Sequence, residues 1–347
     1  MIHELMAHVL DGHDLTRAQA HDAMQEIMSG DATQAQIAGF LIALRAKGET
    51  ADEIAGCAEA MREHVLPVQP QRDDLVDTAG TGGDGKSTLN ISTAAALVAA
   101  AAGAGVAKHG NRAASSQTGS ADVLDALGFE LDLAPERIAQ SIDELGFGFM
   151  FAQAHHPAMK HAAPVRRELG TRTVFNVLGP LTNPARARAQ VVGVYSPDLV
   201  RPVAEALAQL GARRAFVVHG AGGIDELSPL GPSQVSEVVD GGVRDRVIDP
   251  EELGIERCAF EEIAGGTPDE NAAAIRRVFT GEQGGARDAI LLNAAGAIAA
   301  GGRAADLREG IALARETIDS GAAATRLDEL VEFTRVSRRR LDGGERE

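Results

Sequence analysis

Tryptophan is absent from this 347-residue sequence, tyrosine occurs once, at Tyr195, and the three aromatic residue types together make up 3% of the chain. That scarcity argues against recognition built on rows of stacking rings, the platform that holds single-stranded nucleic acids. Basic residues are outnumbered as well: 33 Lys and Arg stand against 50 Asp and Glu, a formal charge of −17. So acidic a chain opposes nucleic-acid binding, because affinity for a duplex rests on neutralising phosphates. Cysteine is nearly missing. Cys57 and Cys258 lie far apart with no C-x-x-C spacing, which argues against a structural disulfide or zinc site and leaves both as small apolar side chains. Long apolar runs are lacking too. The longest, Ala94 to Ala102, is far short of the roughly 20 residues that span a bilayer. Met1-Ile2-His3-Glu4-Leu5 carries no basic n-region, so the expectation is a cytoplasmic protein with no membrane partner.

What remains is ordinary globular material, 44% hydrophobic and 24% charged, in a length that suits one large or two moderate domains. Residues 1–66 read as amphipathic helices, opened by a stripe of Ile2, Leu5, Met6, Val9 and Leu10. Three capping-box signatures follow: Thr16-x-x-Gln19, Thr33-x-x-Gln36 and Thr50-x-x-Glu53. A proline-bearing polar stretch from Pro67 to Asp74 reads as a linker. From residue 75 onward short β-rich runs alternate with helical patterns. Strands are expected at 75–78, 106–108, 189–196 and 215–218, and helices at 91–102, 121–127, 135–145 and 202–210. A Val-rich hairpin is expected over 235–248. The expected fold class is α/β: a small N-terminal helical domain, joined in space by part of 155–185, and a larger α/β domain over 75–347 with a mostly parallel central sheet.

The densest chemistry lies in Asp77-Thr78-Ala79-Gly80-Thr81-Gly82-Gly83-Asp84-Gly85-Lys86-Ser87-Thr88-Leu89-Asn90-Ile91-Ser92-Thr93, where a strand hands over to a helix N-terminus. Free N–H groups and the helix dipole attract anions there, and Gly80, Gly82, Gly83 and Gly85, having no Cβ, can take positive φ and let a ligand approach the main chain. A glycine-rich loop alone is a weak signal, since tight surface turns have the same composition. Residues 80–120, however, carry a net charge of +2 within an acidic chain, which suits a small anionic ligand.

Three further blocks stand in order behind the glycine loop. They are Lys108-His109-Gly110-Asn111-Arg112-Ala113-Ala114-Ser115-Ser116 with Gly119-Ser120; His156-Pro157 through Arg166 and Arg172-Thr173-Val174-Phe175-Asn176-Val177-Leu178-Gly179-Pro180-Leu181-Thr182-Asn183-Pro184; and His219-Gly220-Ala221-Gly222-Gly223-Ile224-Asp225-Glu226-Leu227-Ser228. Together these blocks, which run over nearly the whole chain, resemble the anthranilate phosphoribosyltransferase family. That family condenses anthranilate with phosphoribosyl pyrophosphate on the route to tryptophan. One departure stands out: Gln153 occupies a position where relatives often have Pro.

The resemblance implies a phosphoribosyl pyrophosphate site of Gly80, Gly83, Asp84, Thr88, Asn90, Ile91, Ser92, Thr93, Lys108, His109, Gly110, Asn111, Arg112, Ala113, Ala114, Ser115, Ser116 and Ser120. It further implies an anthranilate site of Gly80, Asn111 and Arg166, and Mg²⁺ held by Ser92, Asp225 and Glu226. A guanidinium fork suits a carboxylate, which favours Arg166; Arg167 is the neighbouring alternative. Adjacent carboxylates after a glycine-rich turn suit magnesium shared with substrate phosphates, although most Asp-Glu pairs are merely solvated. Lys108 and Arg112 are taken as loop cations, with an ordinary exposed cation as the competing reading. His109 and His219 are taken as loop-shaping side chains, and His156 as a structural or substrate-lining group. His155, His156 and His161 match no zinc spacing.

An arylamine is already neutral at cellular pH. Positioning and stabilisation of the leaving pyrophosphate are therefore expected to supply most of the acceleration, with transition-state support from Lys108 and Asp84 and no covalent nucleophile. A homodimer through the N-terminal helices is a further implication of the resemblance. Two other classes compete with this reading: a pyrimidine nucleoside phosphorylase-like enzyme, opposed by the Asn111 to Ser116 and Asp225-Glu226 blocks, and a non-enzymatic nucleic-acid-binding relative, opposed by the charge.

Overall fold

The computed structural model describes residues 1–113 and 117–343, with side chains to Arg335. Four helices open the chain: α1 Ile2–Leu10, α2 Arg17–Ser29, α3 Gln34–Lys47 and α4 Ala51–Glu63. All three capping boxes form. Thr16, Thr33 and Thr50 each accept from the backbone N–H three residues on, and the third residue's side chain returns a bond to the cap N–H. Glu53 serves three partners: fully buried, it closes the α4 box on Thr50 N at 2.8 Å, accepts Leu15 N at 2.9 Å and pairs with Lys47 Nζ at 3.0 Å. A buried carboxylate is tolerated because each oxygen is satisfied.

The larger part runs β1 Leu75–Asp77, α5 Ile91–Ala101, β2 Gly105–Gly110, α6 Ser120–Leu127, α7 Pro135–Leu145, β3 Phe147–Phe151, α8 Ala152–His155, α9 Ala163–Leu169, α10 Val174–Leu181 and β4 Ala189–Gly193. It continues with α11 Val200–Gln209, β5 Arg214–His219, β6 Ser233–Val239, β7 Gly242–Ile248, α12 Pro268–Phe279, α13 Gly285–Ala300, α14 Leu307–Asp319 and α15 Ala322–Gly343. One seven-stranded sheet has the order β3-β2-β1-β4-β5-β6-β7. The five strands from β3 to β5 are parallel, and β6 and β7 form the expected hairpin, antiparallel to β5 and to each other. Strand β3, which the periodicity does not single out, is an apolar run buried along most of its length on the outer side of β2.

The chain moves outward from β1 to β2 and β3, then returns to lay β4 on the other side of β1. That reversal makes β1/β4 the topological switch point, beyond whose carboxyl ends α/β sheets bind ligands. The glycine loop leaves β1 there. The sheet's two faces are covered differently. One carries α5 and α13, in which Ala94 to Ala100 and Ala294, Ala295, Ala297 and Ala299 are all buried; alanine favours the helix and lets its axis approach the strands closely. The other face contributes Val192, Val194, Ala215 and Val217 to an apolar cluster shared with α1–α4, α10 and α11. No helix among the described residues is long and apolar enough to cross a membrane.

Candidate active site

The glycine loop is drawn tight against the ends of β1 and β4. Thr81 N–H donates to the Gly193 carbonyl at 2.8 Å and Tyr195 N–H to Thr81 Oγ1 at 3.1 Å. Gly82, Gly83 and Gly85 have positive φ, but Gly80 does not. Its lack of a Cβ serves another end, since a methyl group there would lie 2.8 Å from Asp225 Oδ2. Gly193 is still more constrained, with Asp225 O only 1.5 Å from where its Cβ would stand. Bare backbone at two points thus lets the β5 loop bring Asp225 and Glu226 onto the switch point.

Asp225 Oδ2 accepts Gly82 N–H at 2.9 Å, and Glu226 Oε1 accepts Ser92 N–H at 3.1 Å in the first turn of α5. Asp84 Oδ1 accepts Lys86 N–H at 3.1 Å, while its Oδ2 is buried without a partner among the described residues. Burial, then repulsion from Asp84, pushes Asp225 well above the usual carboxylate range; burial, then repulsion from Asp225, does the same to Glu226. An orphaned oxygen and two carboxylates that resist ionisation together are relieved by a cation. Among the described residues no group of three His, Cys, Asp or Glu side chains is gathered into a ready-made cage. The donor set therefore suits an oxygen-seeking ion that takes further ligands from a substrate.

Lys108, expected both at the end of the 106–108 strand and as a loop cation, lies inside strand β2, where it is only 1% exposed, so the loop and exposed-cation readings are excluded. Its Nζ donates to Thr78 O at 3.0 Å and Thr78 Oγ1 at 3.1 Å. Burial lowers its pKa, while Asp77 and Glu226 pull it back. Asp77 is fully buried, accepts His109 N–H at 3.1 Å and Asn183 Nδ2 at 2.6 Å, and is raised to about 6 by burial. His109 likewise belongs to β2, not to a loop. Its Nδ1 meets Gly179 O at 3.1 Å and its Nε2 meets His156 Nε2 at 3.2 Å, so one ring donates and the other accepts. Burial depresses His109 to about 3 and His156 to about 4. His219 ends β5 with Nδ1 against Val194 O at 2.8 Å, again a strand position, and His155 Nδ1 meets Leu66 O at 2.9 Å.

Asn111 and Arg112 follow β2. Arg112 is not a free cation: Nη1 lies 2.8 Å from Asp122 Oδ1, whose other oxygen takes Ala113 N–H and Gly119 N–H, both at 2.9 Å. Asp122 organises this loop and was not read from the sequence, although it stands three residues after Gly119 as an N3 acid. Ser120 opens α6, whereas Ala114, Ser115 and Ser116 lie outside the described residues. Thr88 bridges to Ala264. Asn90 spends its side chain on Thr118 O at 3.1 Å and on Asn271 Nδ2 at 2.9 Å. Arg166, on α9, is half-buried beside the Phe175 ring at 5.1 Å with no acidic partner among the described residues, and burial lowers its pKa; Arg167 is exposed. Arg172, also missed, donates to Gly83 O and lies 4.2 Å from the Tyr195 ring centroid, so it clasps the loop from outside.

A helical bundle set against a largely parallel sheet, with a glycine loop and paired carboxylates at the switch point, is matched along its length by a glycosyl transferase family, which gives the class of the protein. The glycosyl transferase family, a/b domain, matches residues 72–324, and the helical bundle domain of that family matches residues 3–65. Among curated relatives, anthranilate phosphoribosyltransferase of Symbiobacterium thermophilum is 54% identical over 330 residues, covering 95% of this chain and 97% of that protein. The crystal structure of anthranilate phosphoribosyltransferase from Thermus thermophilus matches with a TM-score of 0.90 at 51% identity, over 95% of this chain and 99% of the other. The enzyme from Saccharomyces cerevisiae, solved in complex with PRPP and Mg, gives 0.87 at 30% identity over 96% and 98%. The chain belongs to the anthranilate phosphoribosyltransferase family.

Proposed function

We propose that this chain transfers the phosphoribosyl group of 5-phosphoribosyl 1-pyrophosphate to the amine of anthranilate, giving N-(5-phosphoribosyl)-anthranilate and pyrophosphate, the second step of tryptophan biosynthesis from chorismate. The observation that carries this reading is the meeting of the Ser92 amide and the Glu226 carboxylate at the start of α5, 3.1 Å apart, in a chain 54% identical to a protein of that name. The sugar's phosphates occupy the glycine loop and the first turn of α5, where main-chain amides and the helix dipole favour negative charge. Gly80, Gly83, Asp84, Thr88, Asn90 to Thr93, Lys108 to Ser116 and Ser120 form this site. Ser92, Asp225 and Glu226 hold magnesium, with Asp84 beside them. Bound there, the ion would supply positive charge to offset that developing on the departing pyrophosphate.

Lys108 holds the Thr78 carbonyl by a hydrogen bond and sets its positive charge near Asp77 and Glu226, as a fixed countercharge that needs no reorganisation during the reaction. Arg166 receives the anthranilate carboxylate, with Asn111 and the Gly80 main chain beside it, and so aims the amine at the anomeric carbon. The amine attacks as the neutral base, so orientation supplies the acceleration and no side chain becomes acylated or glycosylated. Residues 1–66, joined by α9 and α10, act as one domain bearing the aromatic-acid side of the cleft, supported by the apolar cluster they share. The protein works in the cytoplasm as a homodimer through the N-terminal helices.

Steady-state assay of anthranilate consumption with phosphoribosyl pyrophosphate and Mg²⁺ tests the reading. Turnover is expected, falling at least about 100-fold in Asp225→Asn and Glu226→Gln. Phosphorolysis of a pyrimidine nucleoside without any use of anthranilate would overturn it.

A further inference from the structure

Asn293 stands in the middle of α13, 2% exposed, among buried alanine, isoleucine and leucine. Asparagine is a poor choice there, both for the helix and for an apolar core, unless its amide is used. The amide reaches across 66 positions to a single residue of the loop after β5. Leu227 N–H donates to Asn293 Oδ1 at 2.9 Å, and Asn293 Nδ2 donates back to Leu227 O at 2.9 Å. The other Nδ2 hydrogen goes to Ala289 O, also at 2.9 Å. A carboxamide carries donor and acceptor side by side, so one side chain closes both main-chain groups of Leu227, as a neighbouring strand would. Leu227 is itself 1% exposed, and its side chain belongs to the same apolar cluster as α13. Glu226 is the residue immediately before this clamp. Its carboxylate meets the Ser92 amide at 3.1 Å, and it shares with Asn293 the wall of a small cavity that Thr78, Gly80, Ser92 and Gly193 also line.

We infer that Asn293 is a positioning residue for the metal site: by clamping the Leu227 main chain to α13, it fixes where the Asp225 and Glu226 carboxylates stand. Both hydrogens of its own Nδ2 are spent on carbonyls, so it acts through those carboxylates and not by donating to a ligand. The inference deepens the proposed magnesium site and rests on it. Among the described residues, Asn293 alone supplies hydrogen bonds between the main chain of 219–228 and α13. Without it the loop keeps its side-chain sequence but loses the anchor that sets the register of the two acids.

The test is calorimetric titration of Mg²⁺ into protein saturated with phosphoribosyl pyrophosphate, corrected for the metal that the free sugar donor binds. Wild type, Asn293→Leu, Asn293→Ser and Ile290→Val are compared. Leucine keeps the shape and removes both bonds to Leu227. Serine leaves room for water there, and decides by the same criterion if the leucine variant does not fold. In either variant the Kd for Mg²⁺ is expected to rise roughly tenfold, the usual scale for losing a group that orients a metal ligand. The Mg²⁺ concentration for half-maximal turnover should rise with it, while the KM for anthranilate stays within about twofold. Ile290→Val, another buried change on α13, should lower the melting temperature alone. A lower melting temperature with the Mg²⁺ Kd within about threefold of wild type would show a purely structural Asn293 and overturn the inference, as would failure of both Asn293 variants to fold. Wild type that binds no Mg²⁺ beside the sugar donor removes the magnesium reading and this inference together, whereas normal binding with unmoved variants removes this inference alone.

Discussion

Arg166 keeps its charge in a half-buried position with an aromatic ring on one side and no carboxylate to compensate it among the described residues. A cation in that state is costly unless a ligand supplies the anion. Replacing it by alanine is expected to raise the KM for anthranilate roughly 10- to 100-fold, the range of one lost charged hydrogen-bond pair, while the KM for phosphoribosyl pyrophosphate stays within about threefold. Steady-state kinetics varying each substrate separately checks this; equal losses for both would place Arg166 outside the aromatic-acid site. Arg167 is exposed one position on, and the corresponding variant should leave both constants unmoved. Residue type and motif context made Arg166 and the Asp225-Glu226 pair legible. The burial of Lys108 and His109 was not, because the expected strand ended at 108 and the polar residues before Gly110 read as passing into a loop, and only the pairing of β2 between β1 and β3 puts them inside. Asn271 and Asp122 were missed for a different reason: they act on other residues across gaps of 181 and 9 positions, which no local pattern reveals.

Elements that advertise their ends were the most readable. The three capping boxes formed as spaced, since each is a contract between residues three apart and needs nothing from the rest of the fold. Strand β3 was not read, because a short, wholly apolar run lacks the alternation that marks a half-exposed strand. Its pairing matters for pH, because β2 carries His109 against His156 in the segment that follows β3. Both imidazoles lie below their ordinary value of 6.5, at about 3 and about 4, through burial. Between roughly pH 6.5 and 4 the unfolded chain therefore binds protons that the folded chain refuses. The stability gained from neutral imidazoles is complete above about pH 6.5 and is lost as pH falls toward 4. Asp77, Asp225 and Glu226 titrate in the opposite sense, so the informative quantity is a difference between variants. Wild type should lose about 1.4 kcal/mol more per pH unit across that window than His156→Gln, measured by urea unfolding at stepped pH. Parallel stability curves would show that His156 does not titrate in this way.

At the scale of the molecule the sequence composition pointed to an acidic α/β protein with a locally basic loop. It could not show that segments from four parts of the chain converge beyond the carboxyl ends of β1 and β4, because that depends on strand order. The consequence is thermodynamic. Asp84 comes from the glycine loop and the Asp225-Glu226 pair from the loop after β5, and the three repel one another, so magnesium and the sugar diphosphate each complete a site that the other leaves partial. Either alone should stabilise the fold little, and both together should stabilise it by linkage, about 2.7 kcal/mol at a hundredfold excess over the dissociation constant. For a chain of 347 residues that corresponds to a rise in melting temperature of about 4 °C. Differential scanning calorimetry is the suitable probe, since the absence of tryptophan removes the usual fluorescence signal. Four scans suffice: protein alone, with Mg²⁺, with phosphoribosyl pyrophosphate and a chelator, and with both ligands. A shift confined to the last scan, and abolished in Glu226→Gln, is the expected result; a full shift with the sugar diphosphate and chelator would mean that the carboxylates do not hold a metal for it.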